Sequence, residues 1–357
     1  MRISLKRSTG DVALSAALAG APVWAVPGAL LLVAVIMLGI GTNPTAAFGA
    51  LADGAFGSPY SLGITINKAT PLILAGLGAL FSFRAGVFNI GQEGQLYLGG
   101  LAATWIGISL TNLPPVFHIF VSLAGGFAAG ALWAFVPAIL KTRRGVNEII
   151  STLLLNYVAM YLVSFLAFGP LRGPETANYQ TAPVAASAEL PFILPATRLH
   201  AGFLVALACV IAIYVVLWRT PFGLEVRAVG SSPRAARHAG IDVSRTVVLT
   251  VLISGGLAGL AGAVEILGVQ HVLMGYFSPG YGYSGIVAAL IGQSHPAGTL
   301  VASVFLGALR AGGSQMQRAA GVPVTMAYVT EGIMVLFVIA GVALRHRAYV
   351  PKITHVA

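Results

Sequence analysis

Charge is scarce in this chain. Only 8% of its residues are Asp, Glu, Lys or Arg, against about a quarter in a soluble domain that keeps a wet surface. Water is therefore not its only solvent. Cysteine is nearly missing as well. Cys209 stands alone inside an apolar run, which excludes a disulfide framework and a cysteine metal site. No GxxxxGK[ST] phosphate loop occurs, so the chain does not itself hydrolyse ATP through such a loop, and the seven histidines lack HExxH spacing. No polar gap of domain size separates the apolar segments between residues 23 and 344.

What the chain has instead is apolar length. Hydrophobic residues make up 57% of it, and the mean hydropathy is +0.88. Its 44 glycines and 19 prolines sit inside apolar runs, where membrane helices tolerate them. A span needs about 20 apolar residues. Spans are expected near 23–41, 62–83, 92–111, 117–140, 146–168, 200–218, 246–268, 282–294, 297–313 and 324–344. The eighth is too short to cross straight, so a broken or re-entrant segment is expected there. The fold class is an all-α integral membrane protein of about ten transmembrane helices, one membrane domain over 23–344 with tails at 1–22 and 345–357. Ala50-Leu51-Ala52 resembles a signal-peptide cleavage site, but the length of the first run and the spans after it favour a retained helix.

Basic residues set the orientation. With both termini inside, the inner segments hold Arg2, Lys6, Arg7, Arg84, Lys141, Arg143, Arg144, Arg219, Arg227, Arg234, Arg237, Arg245, Arg345, Arg347 and Lys352, which is 15 of the 20. The net charge of +10 is then a topology signal facing anionic membrane lipid, and nucleic acid is not needed to explain it. Two connections stand out. An external loop, 169–199, is rich in Pro, Ala and Thr and offers a surface to an external partner. An inner loop, 219–245, carries five arginines. Within it Ser232 reads as a helix cap, Pro233 as the first helical residue, Arg234 to Ala239 as the helix and Gly240 as its stop. A capped helix is more than solvation requires and reads as a docking element.

The stretch FRAGVFNIGQEGQLYLG, Phe83 to Gly99, closely resembles the signature of bacterial ABC-importer permeases for nucleosides, within the branched-chain amino acid and simple-sugar permease family. Gly145 to Thr152 with Asn156-Tyr157, Ser232 to Ile241, and Gly255 to Gly262 match the same family. The resemblance implies a translocation subunit without bound cofactor. A separate cytoplasmic ATPase would use ATP–Mg, a second permease, paralogous or identical, would complete the pathway, and an external solute-binding protein would deliver cargo. It also implies that Ser232, Pro233, Arg234, Ala235, Ala236, Arg237, His238, Ala239, Gly240 and Ile241 form the coupling helix. Gln293 departs from the arginine expected in its turn.

Polar side chains inside a bilayer are costly unless they line a cavity or find partners. Asn89, Gln92, Glu93 and Gln95 nevertheless gather at the start of the third span. On a helix, Asn89, Gln92 and Gln95 would share a face, offering amides to sugar hydroxyls or base edges. The plainer reading has them capping a helix and bonding to backbone. Glu93 points off that face and is expected to pair with Arg84 or Arg310. Asn156 is either a pathway contact or an interhelical bond. Glu148 is expected in a cytoplasmic ion pair, and Glu265 and Glu331 in interhelical hydrogen bonds rather than a proton relay. Tyr276, Phe277, Tyr281 and Tyr283 read more simply as an interfacial aromatic belt, and more sharply, through Tyr281 and Tyr283, as a stacking platform for a base. Gly126, Gly130, Gly255 and Gly259 give small-residue faces for helix packing or for a permease–permease interface. A simple-sugar ABC permease and a proton-coupled secondary transporter stand as alternatives to the nucleoside importer.

Overall fold

A computed structural model describes residues 21–173 and 180–349. Residues 1–20 of the expected N-terminal tail, 174–179 of the external loop and 350–357 of the C-terminal tail lie outside it. The described residues are almost wholly helical. The helices are α1 (Ala21–Gly39), α2 (Pro44–Phe56), α3 (Pro59–Arg84), α4 (Gln92–Ser109), α5 (Pro115–Arg144), α6 (Glu148–Phe168), α7 (Gly202–Arg219), α8 (Pro221–Ser231), α9 (Pro233–His238), α10 (Val243–Glu265), α11 (Tyr281–Ile291), α12 (Pro296–Ala320) and α13 (Met326–Tyr349). Each expected span coincides with a helix. Five are long and apolar enough to cross a membrane: α3, α5, α6, α7, and α10 with its π-helical continuation to Gln270.

Two helices were not expected. α2 falls between the first two expected spans, because its Asp53 and modest apolarity hide a run of good helix formers behind Pro44. The Asn43 carboxamide accepts the Thr45 N–H at 3.0 Å at its start. α8 begins at Pro221 behind Thr220, whose hydroxyl accepts from Gly223 N–H at 3.1 Å.

The chain divides into two compact units. One comprises the described parts of Met1–Leu51 and Gly313–Ala357. Its core gathers Val33, Met37, Ala47, Met316, Val322 and Met326. The other is Ala52–Gly312. Its centre is α3, buried from Ala69 to Ser82, and α10, buried from Ser254 to Glu265. A helix apolar all round belongs in the middle of a bundle. α5 crosses α10 closely at paired glycines: a Cβ on Gly259 would lie 2.2 Å from the Gly126 carbonyl oxygen, and one on Gly130 2.3 Å from that of Gly255. These four glycines pack helices within the chain.

The segment between α6 and α7, expected to be external, is tied down where it is described. Ala185 N–H donates to Gly107 O at 2.9 Å and Leu190 N–H to Leu267 O at 2.8 Å. Its strands β1 (Phe192–Leu194) and β2 (Leu199–His200) pair antiparallel. The Asn67 carboxamide of α3 donates to Arg198 O at 2.7 Å, fixing that hairpin to the bundle.

Candidate functional site, a buried non-helical segment between two helices

α3 ends at Arg84 because Gly86 takes the left-handed conformation, φ 71°, and Val87 N–H returns to Ser82 O at 3.0 Å. The chain then runs without helix to Gly91 before α4 begins. The first residues of α4 lie well inside the bundle. Gly78, six residues and about 9 Å along α3 from Arg84, packs against both Ser254 and Gln92. Irregular backbone at this depth survives only when other groups satisfy it.

Those groups are side chains from three helices. Asn89 and Gln95 form a reciprocal amide pair: Asn89 Nδ2 donates to Gln95 Oε1 at 3.0 Å, and Gln95 Nε2 to Asn89 Oδ1 at 3.1 Å. Asn89 Oδ1 also accepts Gly91 N–H at 3.0 Å. The Ser254 hydroxyl of α10 accepts from Asn89 Nδ2 at 2.9 Å and from Gln92 Nε2 at 2.8 Å. Asn156 of α6 caps α4 from outside. Its Oδ1 accepts Gly94 N–H at 2.8 Å, and its Nδ2 donates to Ile90 O at 2.9 Å and to the Tyr283 hydroxyl at 3.2 Å.

Glu93 is buried and reaches the other way. Its Oε2 accepts the Gly282 N–H at 2.6 Å, placing a carboxylate at the positive end of α11. α11 has 11 residues, about 16 Å of helix, against a hydrocarbon core of about 30 Å. It is the short eighth segment expected from sequence. The Ser278 hydroxyl accepts the Tyr281 N–H at 3.1 Å. Arg310 of α12 lays its guanidinium 5.1 Å from the Tyr281 ring centroid, within electrostatic reach of Glu93 and Glu265.

Several expectations are corrected here. Asn89 does not share a helix face with Gln92 and Gln95, because glycine keeps residues 86–91 out of helix; its side chain reaches Gln95 across the turn instead. Arg84 does not pair with Glu93. It donates through Nε to Ser294 O at 2.9 Å. Glu265 accepts from Gln270 Nε2 at 2.9 Å, within the π-helical continuation of its own helix rather than from a neighbouring one. The four aromatics do not form a belt: Phe277 is buried against Tyr97 (centroids 4.8 Å) and Tyr281 is buried, while Tyr276 is 62% exposed. Glu148 does form the ion pair expected, with Lys141. Glu331 is buried in the unit of the chain ends.

Tyr283 and Asn156 are brought together, whereas Tyr281 turns to Arg310. Ser254, Ser278 and Asn67 went unnoticed in sequence. A hydroxyl or carboxamide inside an apolar helix is the signal that would have found Ser254 and Asn67. Phe88, Ile90 and Tyr283 keep exposed or half-exposed surface, while Asn89, Gln92, Glu93 and Gln95 are buried.

At the other end of α10 lies the 219–245 loop, expected to be on the inner side. Ser232 caps α9, its hydroxyl accepting Ala235 N–H at 3.3 Å, and Gly240 takes φ 85° just beyond the helix. Arg234, Arg237 and His238 are exposed, while Ala236 is buried beneath them.

Comparison with known proteins agrees with this architecture. The family described as "Branched-chain amino acid transport system / permease component" matches residues 61–339. The chain is 38% identical over 319 residues to the guanosine ABC transporter permease protein NupP of Bacillus subtilis, covering 87% of this chain and 90% of that one. It is 38% identical over 331 residues to the glucose ABC transporter permease protein TsgB13 of Haloferax volcanii, covering 90% and 87%. The nucleoside ABC transporter permease protein NupB of Lactococcus lactis is 30% identical over 326 residues, 89% of each chain. No solved structure matches the chain. A helical bundle with buried amides holding a non-helical segment, matched over this length, is a multi-pass membrane permease: the chain belongs to the branched-chain amino acid transport system permease family.

Proposed function

We propose that this chain is the translocation subunit of an ATP-driven ABC importer whose cargo is a nucleoside. The observation that carries the reading is the similarity, over most of both chains, to a guanosine ABC permease. The exposed, capped helix α9 supports it, because an importer without its own phosphate loop needs a docking element for an ATPase. In this reading the ATPase is a separate chain that uses ATP–Mg, and this chain binds no cofactor. A second permease completes the pathway, and an external binding protein delivers cargo. The chain sits in a bacterial inner membrane with both termini cytoplasmic, an orientation supported by the distribution of basic residues.

The pathway residues divide their work. Tyr283, held by Asn156, and the half-exposed Ile90 form the wall that cargo meets. Asn89, Gln92, Glu93 and Gln95 hold that wall from behind and reach cargo when the non-helical segment shifts. Tyr281 steadies α11 under Arg310. Gln92 Oε1 is buried and without a donor among the described residues, which leaves one acceptor for water or a cargo hydroxyl.

A second reading, a simple-sugar cargo such as ribose or galactose, is favoured by the equal identity to a glucose permease. Competition separates the two: excess guanosine, but not glucose or ribose, should block uptake of labelled guanosine by the reconstituted importer. Uptake by this chain alone, driven by an ion gradient, would refute the ABC reading. Charge reversal at the exposed Arg234 and Arg237 should abolish ATP-driven uptake and leave membrane insertion normal.

A further inference from the structure

We propose that Arg84 and Trp218 form a joint that passes movement of the α8–α9 segment to the turn between α11 and α12. The proposal rests on the importer reading, in which α9 docks on an ATPase.

Three paths meet at Arg84. The first comes from α8. Gly230 lies directly on the end of α3, where a Cβ would sit 2.0 Å from the Arg84 carbonyl oxygen, and a Cβ on Gly86 would sit 3.5 Å from Gly230 Cα. Nothing but backbone separates the docking segment from the α3 terminus, so a shift of α8 has no soft side chain in which to dissipate.

The second path comes from α7. Trp218 is in its last turn, two residues before the Thr220 cap of α8. The Arg84 guanidinium carbon lies 5.3 Å from the Trp218 ring centroid, within cation–π range. The segment is thus held against Arg84 on the way in, by Trp218, and on the way out, by Gly230.

The third path leads to α11. Arg84 Nε donates to Ser294 O, and the His295 ring stands 5.2 Å from Trp218 and 6.0 Å from Tyr214. Tyr214 stacks on Trp218 at 5.2 Å. The turn gripped here is unusual. Gln293 and Ser294 both take left-handed backbone, φ 55° and 50°, without being glycine, which the surrounding contacts must impose. α11 starts against Glu93, which accepts from Gly282 N–H, and runs into this turn, so a displacement of Ser294 is carried back along a rigid short helix to the segment around Glu93. Lysine would keep the charge at position 84 but lose the Nε donor, and phenylalanine would keep a ring face at position 218.

The test uses the complete importer in proteoliposomes and reads uptake of guanosine or glucose per ATP hydrolysed. Trp218→Ala and Arg84→Gln should lower that ratio about tenfold while ATP hydrolysis stays near the wild-type rate. Trp218→Phe should recover most of the ratio, and Arg84→Lys only part. Uptake and hydrolysis falling in proportion, or both remaining unchanged, overturns the joint. A wild-type complex that moves neither probe overturns the importer reading instead. The joint is then decided by spin labels on Ser231→Cys and Gln293→Cys in a Cys209→Ala background. Their separation should change on ATP–vanadate trapping, and the change should vanish with Trp218→Ala. An unchanged separation without that substitution refutes the joint.

Discussion

Glu93 accepts the backbone N–H of Gly282 at 2.6 Å, joining residues 189 positions apart in sequence. One side chain near the start of α4 thereby caps the start of α11, and two helices that both begin inside the bundle are fixed to each other.

Removing that carboxylate leaves a buried helix terminus without its acceptor. Glu93→Ala should lower stability by about 1–3 kcal/mol, read as a lower melting temperature in detergent. Glu93→Gln keeps an acceptor without the charge and should fall between Ala and wild type.

Asn156 uses both halves of its carboxamide, accepting from Gly94 N–H and donating to Ile90 O. Asn156→Ala should cost about 1–3 kcal/mol by stranding these groups. Asn156→Asp restores an acceptor for Gly94 but turns a second oxygen toward the Ile90 carbonyl, so it should melt no higher than the alanine variant. A full rescue by aspartate would contradict this geometry.

The glycines of the α5–α10 crossing and those of exposed helix are predicted to behave oppositely. Gly259→Ala drives a methyl into the Gly126 carbonyl and should cost about 1–3 kcal/mol and reduce the amount of protein in the membrane. Gly49→Ala, inside α2 with open space around it, should be neutral or stabilise by up to about 1 kcal/mol. Comparing melting temperatures of the two variants checks both statements at once.

His200 lies in β2, ahead of α7, whose span begins at Gly202 and not at residue 200 as expected; it is fully buried and accepts Gly202 N–H through Nδ1 at 3.1 Å. Burial, with the nearby His271 adding to it, pushes its pKa down to about 4 from the usual 6.5. The unfolded chain therefore takes up this proton first as pH falls. The stabilisation is complete above pH 6.5 and is lost as pH falls toward 4, by about 2 kcal/mol at pH 5. Melting temperature should drop between pH 7 and pH 5, and His200→Gln should flatten that slope.

The interior polar cluster shows where sequence reasoning reached and where it stopped. That Asn89, Gln92, Glu93 and Gln95 matter together follows from the cost of placing four polar groups in an apolar setting. Their spacing suggested a shared helix face, which the non-helical 86–91 segment removes. Glycine signals that backbone can depart from helix, but whether it does depends on Ser254 and Asn156 being there to satisfy the freed groups, and those lie on other helices. α2 escaped notice for the opposite reason: its sequence is helical by propensity yet too polar to read as a span.

Sequence by itself determined the features whose causes are local. Apolar length placed a helix at each expected span and showed the eighth to be short, because burial away from water demands a minimum run of apolar residues. The Ser232-Pro233 cap and Gly240 stop of α9 were legible because both act within one turn. Tertiary structure alone decided that Glu93 bonds to Gly282 and not to Arg84, that Arg84 turns to Ser294 and Trp218, and that Gly126 and Gly130 meet Gly255 and Gly259 within one chain. Each of these is a choice of partner among groups of equal chemistry, and distance in space, which makes that choice, is absent from a linear string of residues.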